Sequence, residues 1–201
     1  FSSSAAYPRR NGWIQRNSVN SHNWFGAIAN IKTELAENLT LDVGFDSRFY
    51  KGLHYRNVRD LLGSDGYRDS RYNGTPNTNG VVAATKEYKW PIGDVWNVFG
   101  DTDAEEKIDR NNNGVINYFG LYFQLEYLMN DVSIFVQGSG SNKGYQREEF
   151  YLYGPGDPLQ YSEKVNIAGG TIKAGANWNI DAQNNLFANA GYFSKQPNLN
   201  A

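Results

Sequence analysis

The sequence predicts an all-β chain, an antiparallel meander of about six strands, and three observations lead there. The first is composition. Among 201 residues there are 14 Tyr, 11 Phe, 5 Trp, 21 Gly and 25 Asn. Aromatics favour strands, whereas Gly and Asn favour turns and loops. A single Met and no long Leu- or Ala-rich run argue against a helical bundle. The second is a period-2 alternation of apolar and polar residues, which places successive side chains on opposite faces of a strand. The third is a strong asymmetry between short and long connections.

The first hairpin begins near residue 23. Phe25, Ala27, Ala29, Ile31, Thr33 and Leu35 alternate with Gly26, Ile28, Asn30, Lys32 and Glu34. After the turn Ala36-Glu37-Asn38, Leu39, Leu41, Val43 and Phe45 alternate with Thr40, Asp42, Gly44, Asp46 and Arg48. Strands are expected over about 23–35 and 39–55. A second hairpin, over about 114–129 and 132–138, sets Phe119, Leu121, Phe123 and Leu125 against Tyr118, Gly120, Tyr122 and Gln124 and turns at Asn130-Asp131. The third, over about 168–181 and 186–195, sets Ile172, Ala174, Ala176 and Trp178 against Thr171, Lys173, Gly175 and Asn177, with a turn at 182–185.

Turns within hairpins are short, but the connections between hairpins run over about 63–110 and 139–165. A structureless loop of that first length is improbable in a compact soluble domain. Outer-membrane barrels expect it, because their periplasmic turns are short and their extracellular loops long. The strands also reach the roughly 9–11 residues needed to cross hydrocarbon at the usual tilt. Periodicity alone is equally compatible with a soluble sandwich or barrel; loop asymmetry favours part of a large transmembrane β-barrel. Trp24, Phe25, Tyr127, Met129 and Trp178 lie near strand ends, as interfacial girdles would place them.

Other classes fall away. No apolar run approaches about 18 residues, so no transmembrane helix is expected. A net charge of −2 gives no footprint for nucleic acid. Absence of Cys removes disulfides and thiolate chemistry. The opening FSSSAAYPRR lacks the basic-then-apolar pattern of a secretory signal and starts without Met, so a mature form or a fragment is expected.

Catalytic, cofactor and metal sites find no support, and the chain is not expected to be an enzyme. Asp109-Arg110-Asn111-Asn112-Asn113-Gly114 matches the first half of a calcium-binding EF-hand loop, but position twelve is Gly120 where Glu is required. A polar turn is the better reading. The pairs Glu105-Glu106 and Glu148-Glu149 point to opposite faces if extended, so they read as solvated charge. His22 and His54 have no partnered Ser or Cys motif, and a hydrogen-bonding structural role is expected for both.

Ligand-binding candidates lie in the long loops. Tyr67, Arg68, Arg71, Tyr72, Tyr88, Trp90 and Trp96 combine flat aromatic faces with cationic donors, suited to stacking sugars or holding anionic chelates. The second loop adds Tyr145, Arg147, Phe150, Tyr151 and Tyr153. The alternative is that these residues pack the loops together.

The wording inside the hairpins carries a resemblance. It lies in NSVNSHNWFGAI at 17–28, DSRFYKGLHYRNVRDLLG at 46–63, EKIDRNNNGVINYFGLYFQLEY at 106–127, VSIFVQGSGSNKGYQREEF at 132–150 and GGTIKAGANWNIDAQNNLFANAGYFSKQPNLNA at 169–201. Through these segments the chain resembles the barrel portion of TonB-dependent outer-membrane receptors of the Bacteroidetes type. The resemblance implies residence in the outer membrane and uptake of a scarce, bulky ligand such as a siderophore, haem or an oligosaccharide. It implies energy from the TonB complex, reached through an N-terminal region not found here, with outer-membrane lipid and a surface lipoprotein as further partners. It also implies a plugged barrel of about 22 strands. No plug, TonB-binding segment or closing aromatic strand is found, so roughly a quarter of such a receptor is expected, unable to function alone. The rival expectation is a soluble β-sandwich module that binds carbohydrate. A structural surface or adhesion protein, with no membrane insertion, is the third.

Overall fold

The computed structural model describes residues 13–69, 71–72, 75–76, 84–87 and 107–198. Its strands are β1 Gln15–Ala36, β2 Leu39–Asp60, β3 Arg71–Tyr72, β4 Thr75–Pro76, β5 Lys107–Met129, β6 Val132–Glu149, β7 Val165–Asn179 and β8 Asn185–Ser194. Six of them form one open antiparallel sheet in the order β1-β2-β5-β6-β7-β8, so each strand pairs with its neighbour in sequence. The short β3 and β4 pair separately, Arg71 opposite Pro76 and Tyr72 opposite Thr75.

Four strands outrun their expected limits by about five residues or more. β1 starts at Gln15, β2 continues to Asp60, β5 starts at Lys107 and β6 runs to Glu149. The added segments lack a repeating apolar face, which is why alternation does not reveal them. Backbone pairing carries them instead: Ser139 to Tyr145 of β6 lie opposite Thr171 to Val165 of β7. The second loop therefore shrinks to residues 150–164. The stretch resembling a calcium loop is strand rather than turn, since Asp109–Gly114 lies inside β5.

The chain divides into two units. The first gathers Phe1–Asn23, Tyr50–Val115 and Gln146–Glu163; the second gathers Trp24–Phe49, Ile116–Tyr145 and Lys164–Ala201.

In the first unit, Val58, Leu61, Ala84 and Ile108 form a small buried core, with Ile14 and Tyr67 packed against it. The chain reaches that core through a tight turn after β2. Leu62 and Gly63 both take positive φ, 49° and 81°, and Ser64 N–H closes on the Leu61 carbonyl at 2.9 Å. Gly tolerates that conformation freely, whereas a branched Leu is strained in it. Part of the long loop then folds back as ordered backbone. Tyr67 and Ala84 exchange N–H···O bonds of 2.7 and 3.2 Å, and Glu87 accepts from Leu61 N–H at 2.9 Å.

The second unit has almost no core. Among the described residues, Tyr145 is its one buried hydrophobic side chain. Its apolar face lies open: Phe119, Leu121 and Phe123 are 51%, 55% and 38% exposed. Along the same strand Tyr118, Tyr122 and Gln124 are more covered, and Gly120 is buried. A soluble sheet shows the reverse, with its apolar side inward. Close packing between strands is set by small residues. A Cβ on Gly44 would run into the Tyr122 ring, and one on Gly138 would meet Phe123 at 2.6 Å. Each aromatic ring covers backbone that glycine leaves bare. The turn after β7 is held by Asp181, whose carboxylate accepts from the backbone N–H groups of Gln183 and Asn184 at 2.8 and 2.9 Å.

Candidate functional site

The richest polar constellation lies in the first unit and is built on two carboxylates. Asp69 is 1% exposed. One of its oxygens accepts from the Tyr151 hydroxyl at 2.5 Å, and the other accepts from Asp109 N–H at 2.7 Å. Asp109 sits at φ 58°, an unusual conformation inside a strand, and the bond from its backbone N–H to Asp69 helps hold it there. Its own carboxylate accepts from the Tyr67 hydroxyl at 2.7 Å, pairs with Arg16 and stands 3.9 Å from Arg56. Taking carboxylates out of water is costly without donors, and here each has at least two. Burial, together with the bond to Asp109, pushes the Tyr67 phenol well above its ordinary pKa of 10.0.

These contacts place the expected ligand residues. Tyr67 presses its ring on the core and commits its hydroxyl to Asp109. Arg68 is half-buried and engaged by neighbouring groups. Arg71 and Tyr72 form the short β3. Trp90, Trp96 and Tyr88 lie outside the described residues. Arg147 keeps its guanidinium largely exposed while donating to buried Glu149 at 2.7 Å. Its backbone is anchored by Ser162, whose hydroxyl accepts from Arg147 N–H at 2.9 Å and whose own N–H donates to the Arg147 carbonyl at 2.9 Å.

The second loop is tied down rather than open. The Asn111 carbonyl accepts from Phe150 and Tyr151 N–H at 2.8 and 3.2 Å. Phe150 meets Tyr161 edge-to-face at 6.0 Å between ring centres. Asp157 caps a 3-10 turn at Pro158–Gln160 by accepting from Leu159 N–H. Tyr145 donates its hydroxyl to the Pro197 carbonyl within the second unit.

A second cluster brings β1 and β2 together. His22 Nδ1 and the Tyr50 hydroxyl are 2.8 Å apart, and His54 Nδ1 lies 2.8 Å from Asn20 Oδ1. The two imidazole rings meet edge-to-face with centres 6.2 Å apart. Burial holds the His54 pKa below 6.5, and the nearby Arg110 and His22 charges lower it further. Gly52 makes room between them, since a Cβ there would come within 2.5 Å of the Tyr50 hydroxyl and 3.1 Å of His54 Nε2.

The sequence named Tyr67, Tyr151 and Asp109 but could not join them to Asp69 or Arg16. Partners separated by 40 to 93 positions leave no periodic signal. No family model matches the chain, and neither the curated proteins nor the solved structures give a match.

Proposed function

We propose that this chain is wall and loop of a TonB-dependent outer-membrane transporter that imports a scarce, bulky ligand. The inverted face of the second unit carries the reading. Leu121, Phe119, Ile134, Val136 and Ile172 stand open, while in β5 and β7 the polar positions that alternate with them are better covered. Soluble monomers rarely leave so continuous an apolar patch in water. Hydrocarbon on one side and a wet interior on the other accounts for it.

Strand length agrees, with 10 residues in β8 and 15 in β7 against the roughly 9–11 that hydrocarbon requires. Aromatic residues mark the ends of the second unit's strands. Phe25 stacks on Phe49 at 5.3 Å, while Tyr127 and Trp178 lie near the turns. An open sheet in hydrocarbon would leave backbone groups unpaired at β1 and β8, so further strands must close it. The first unit, with its polar network and half-covered aromatics, is the part suited to water and to a ligand such as a siderophore, haem or an oligosaccharide.

Fractionation tests this. The protein is expected in the outer-membrane pellet, extractable only with detergent and slower on gels after boiling. A monodisperse, folded 201-residue chain in plain buffer refutes it.

A further inference from the structure

We propose that His22 and His54 form a two-imidazole capture site for one divalent transition-metal ion of the nickel, copper and zinc class. Each ring is oriented through Nδ1, His22 by the Tyr50 hydroxyl and His54 by Asn20 Oδ1, both at 2.8 Å. Asn20 Oδ1 can only accept, so His54 carries its proton on Nδ1 when neutral and keeps the lone pair on Nε2. The same tautomer holds for His22 when it donates to Tyr50. An Nδ1 hydrogen bond that leaves Nε2 available is the usual arrangement of a metal-ligating histidine.

The spacing is close. Imidazole nitrogen bonds these ions at about 2.0–2.1 Å, which sets each ring centre a little over 3 Å away and two rings on one tetrahedral ion roughly 5 Å apart. The observed 6.2 Å is wider by about 1 Å, a gap that side-chain rotation closes as the ion binds. Gly52 keeps the space beside His54 Nε2 open, because a Cβ there would lie 3.1 Å from that nitrogen.

Among the described residues no cluster of three or more His, Asp or Glu surrounds an ion, so water or an incoming molecule's donor atoms complete the shell. Such a site is open and exchangeable rather than structural. Arg110 bears on His54 electrostatically and opposes a bound cation. Its removal is therefore expected to strengthen binding, the opposite sign from the histidine substitutions.

The chain suits a direct test because it contains two His and no Cys. The full, tag-free chain in detergent is dialysed against Ni²⁺ or Zn²⁺ alone at neutral pH. One ion per chain is expected, with affinity falling about tenfold or more in His22→Ala and in His54→Ala and rising in Arg110→Gln. Histidine ¹⁵N shifts of the unaltered chain under Zn²⁺ provide a readout independent of variant folding, and both Nε2 resonances are expected to move together. Binding that survives either histidine substitution overturns the proposal. So does an absence of binding up to about 1 mM metal, the weak end of the affinity scale, or unmoved Nε2 resonances.

Discussion

Replacing Leu121 with Arg distinguishes hydrocarbon from water at the open face of the sheet. Leu121 lies midway along the part of β5 that belongs to the second unit, and it is 55% exposed. If acyl chains surround it, a guanidinium there costs about 2–4 kcal/mol. Since every 1.4 kcal/mol is a factor of ten, the folding constant then falls roughly 30- to 1000-fold. If water surrounds it, replacing an exposed Leu stays within about 0.5 kcal/mol. Gln124→Arg supplies the control, because Gln124 stands on the opposite side of the same strand, where a wet lumen tolerates charge. Urea unfolding of the assembled protein in phosphatidylcholine bilayers, followed by tryptophan fluorescence, gives both free energies. The expected result is a loss of about 2–4 kcal/mol at position 121 and less than about 1 kcal/mol at position 124. Equal effects at the two positions, or a Leu121→Arg protein as stable as the parent, would refute the assignment of that face to lipid.

Three further outcomes follow from the first unit. Asp69→Asn leaves one of two buried donors, Tyr151 Oη–H or Asp109 N–H, facing an amide N–H₂, so a loss of about 1–3 kcal/mol is expected; limited proteolysis should then cut faster within 61–69, and an unchanged digestion pattern counts against the clasp. Leu62→Asn relieves a side chain held at φ 49° and should raise stability by about 1 kcal/mol in a urea melt, whereas a decrease would show that Leu62 packs usefully. Tyr67 holds its proton above pH 10.0 in the folded state while the unfolded chain releases it, so this residue's contribution to stability falls as pH rises past about 10. Ultraviolet absorbance titration should find one late-ionising tyrosine that Tyr67→Phe removes, and an identical curve in the variant would contradict the buried hydrogen bond.

Much of the sheet is legible in the amino-acid sequence. The alternations around Ile31, Val43, Leu121, Val136, Ile172 and Ala188 locate six strands, because a strand with one apolar face must repeat every second residue. Their polar extensions are not legible. Gln15–Ser18 and Lys143–Glu149 repeat no apolar face, and only backbone pairing, as between Lys143 and Ile167, makes them strand. The candidate site is legible in residue type alone. Aromatic and cationic side chains in the loops are visible, but nothing local tells Tyr67, which commits its hydroxyl to Asp109, from an aromatic left to meet a ligand.

By itself, then, the sequence determined the six strands of the main sheet and their hairpin turns, since these depend on neighbours one or two residues away; the separate β3–β4 pair left no such pattern. Only the tertiary structure decided that the apolar side of the second unit stays open, with the polar positions of β5 and β7 better covered. It alone decided that Asp69, Asp109, Tyr67, Tyr151 and Arg16 converge, and that two histidines 32 positions apart come ring to ring. Those outcomes depend on interactions between distant parts of the chain, and a pattern of period two carries no information about them.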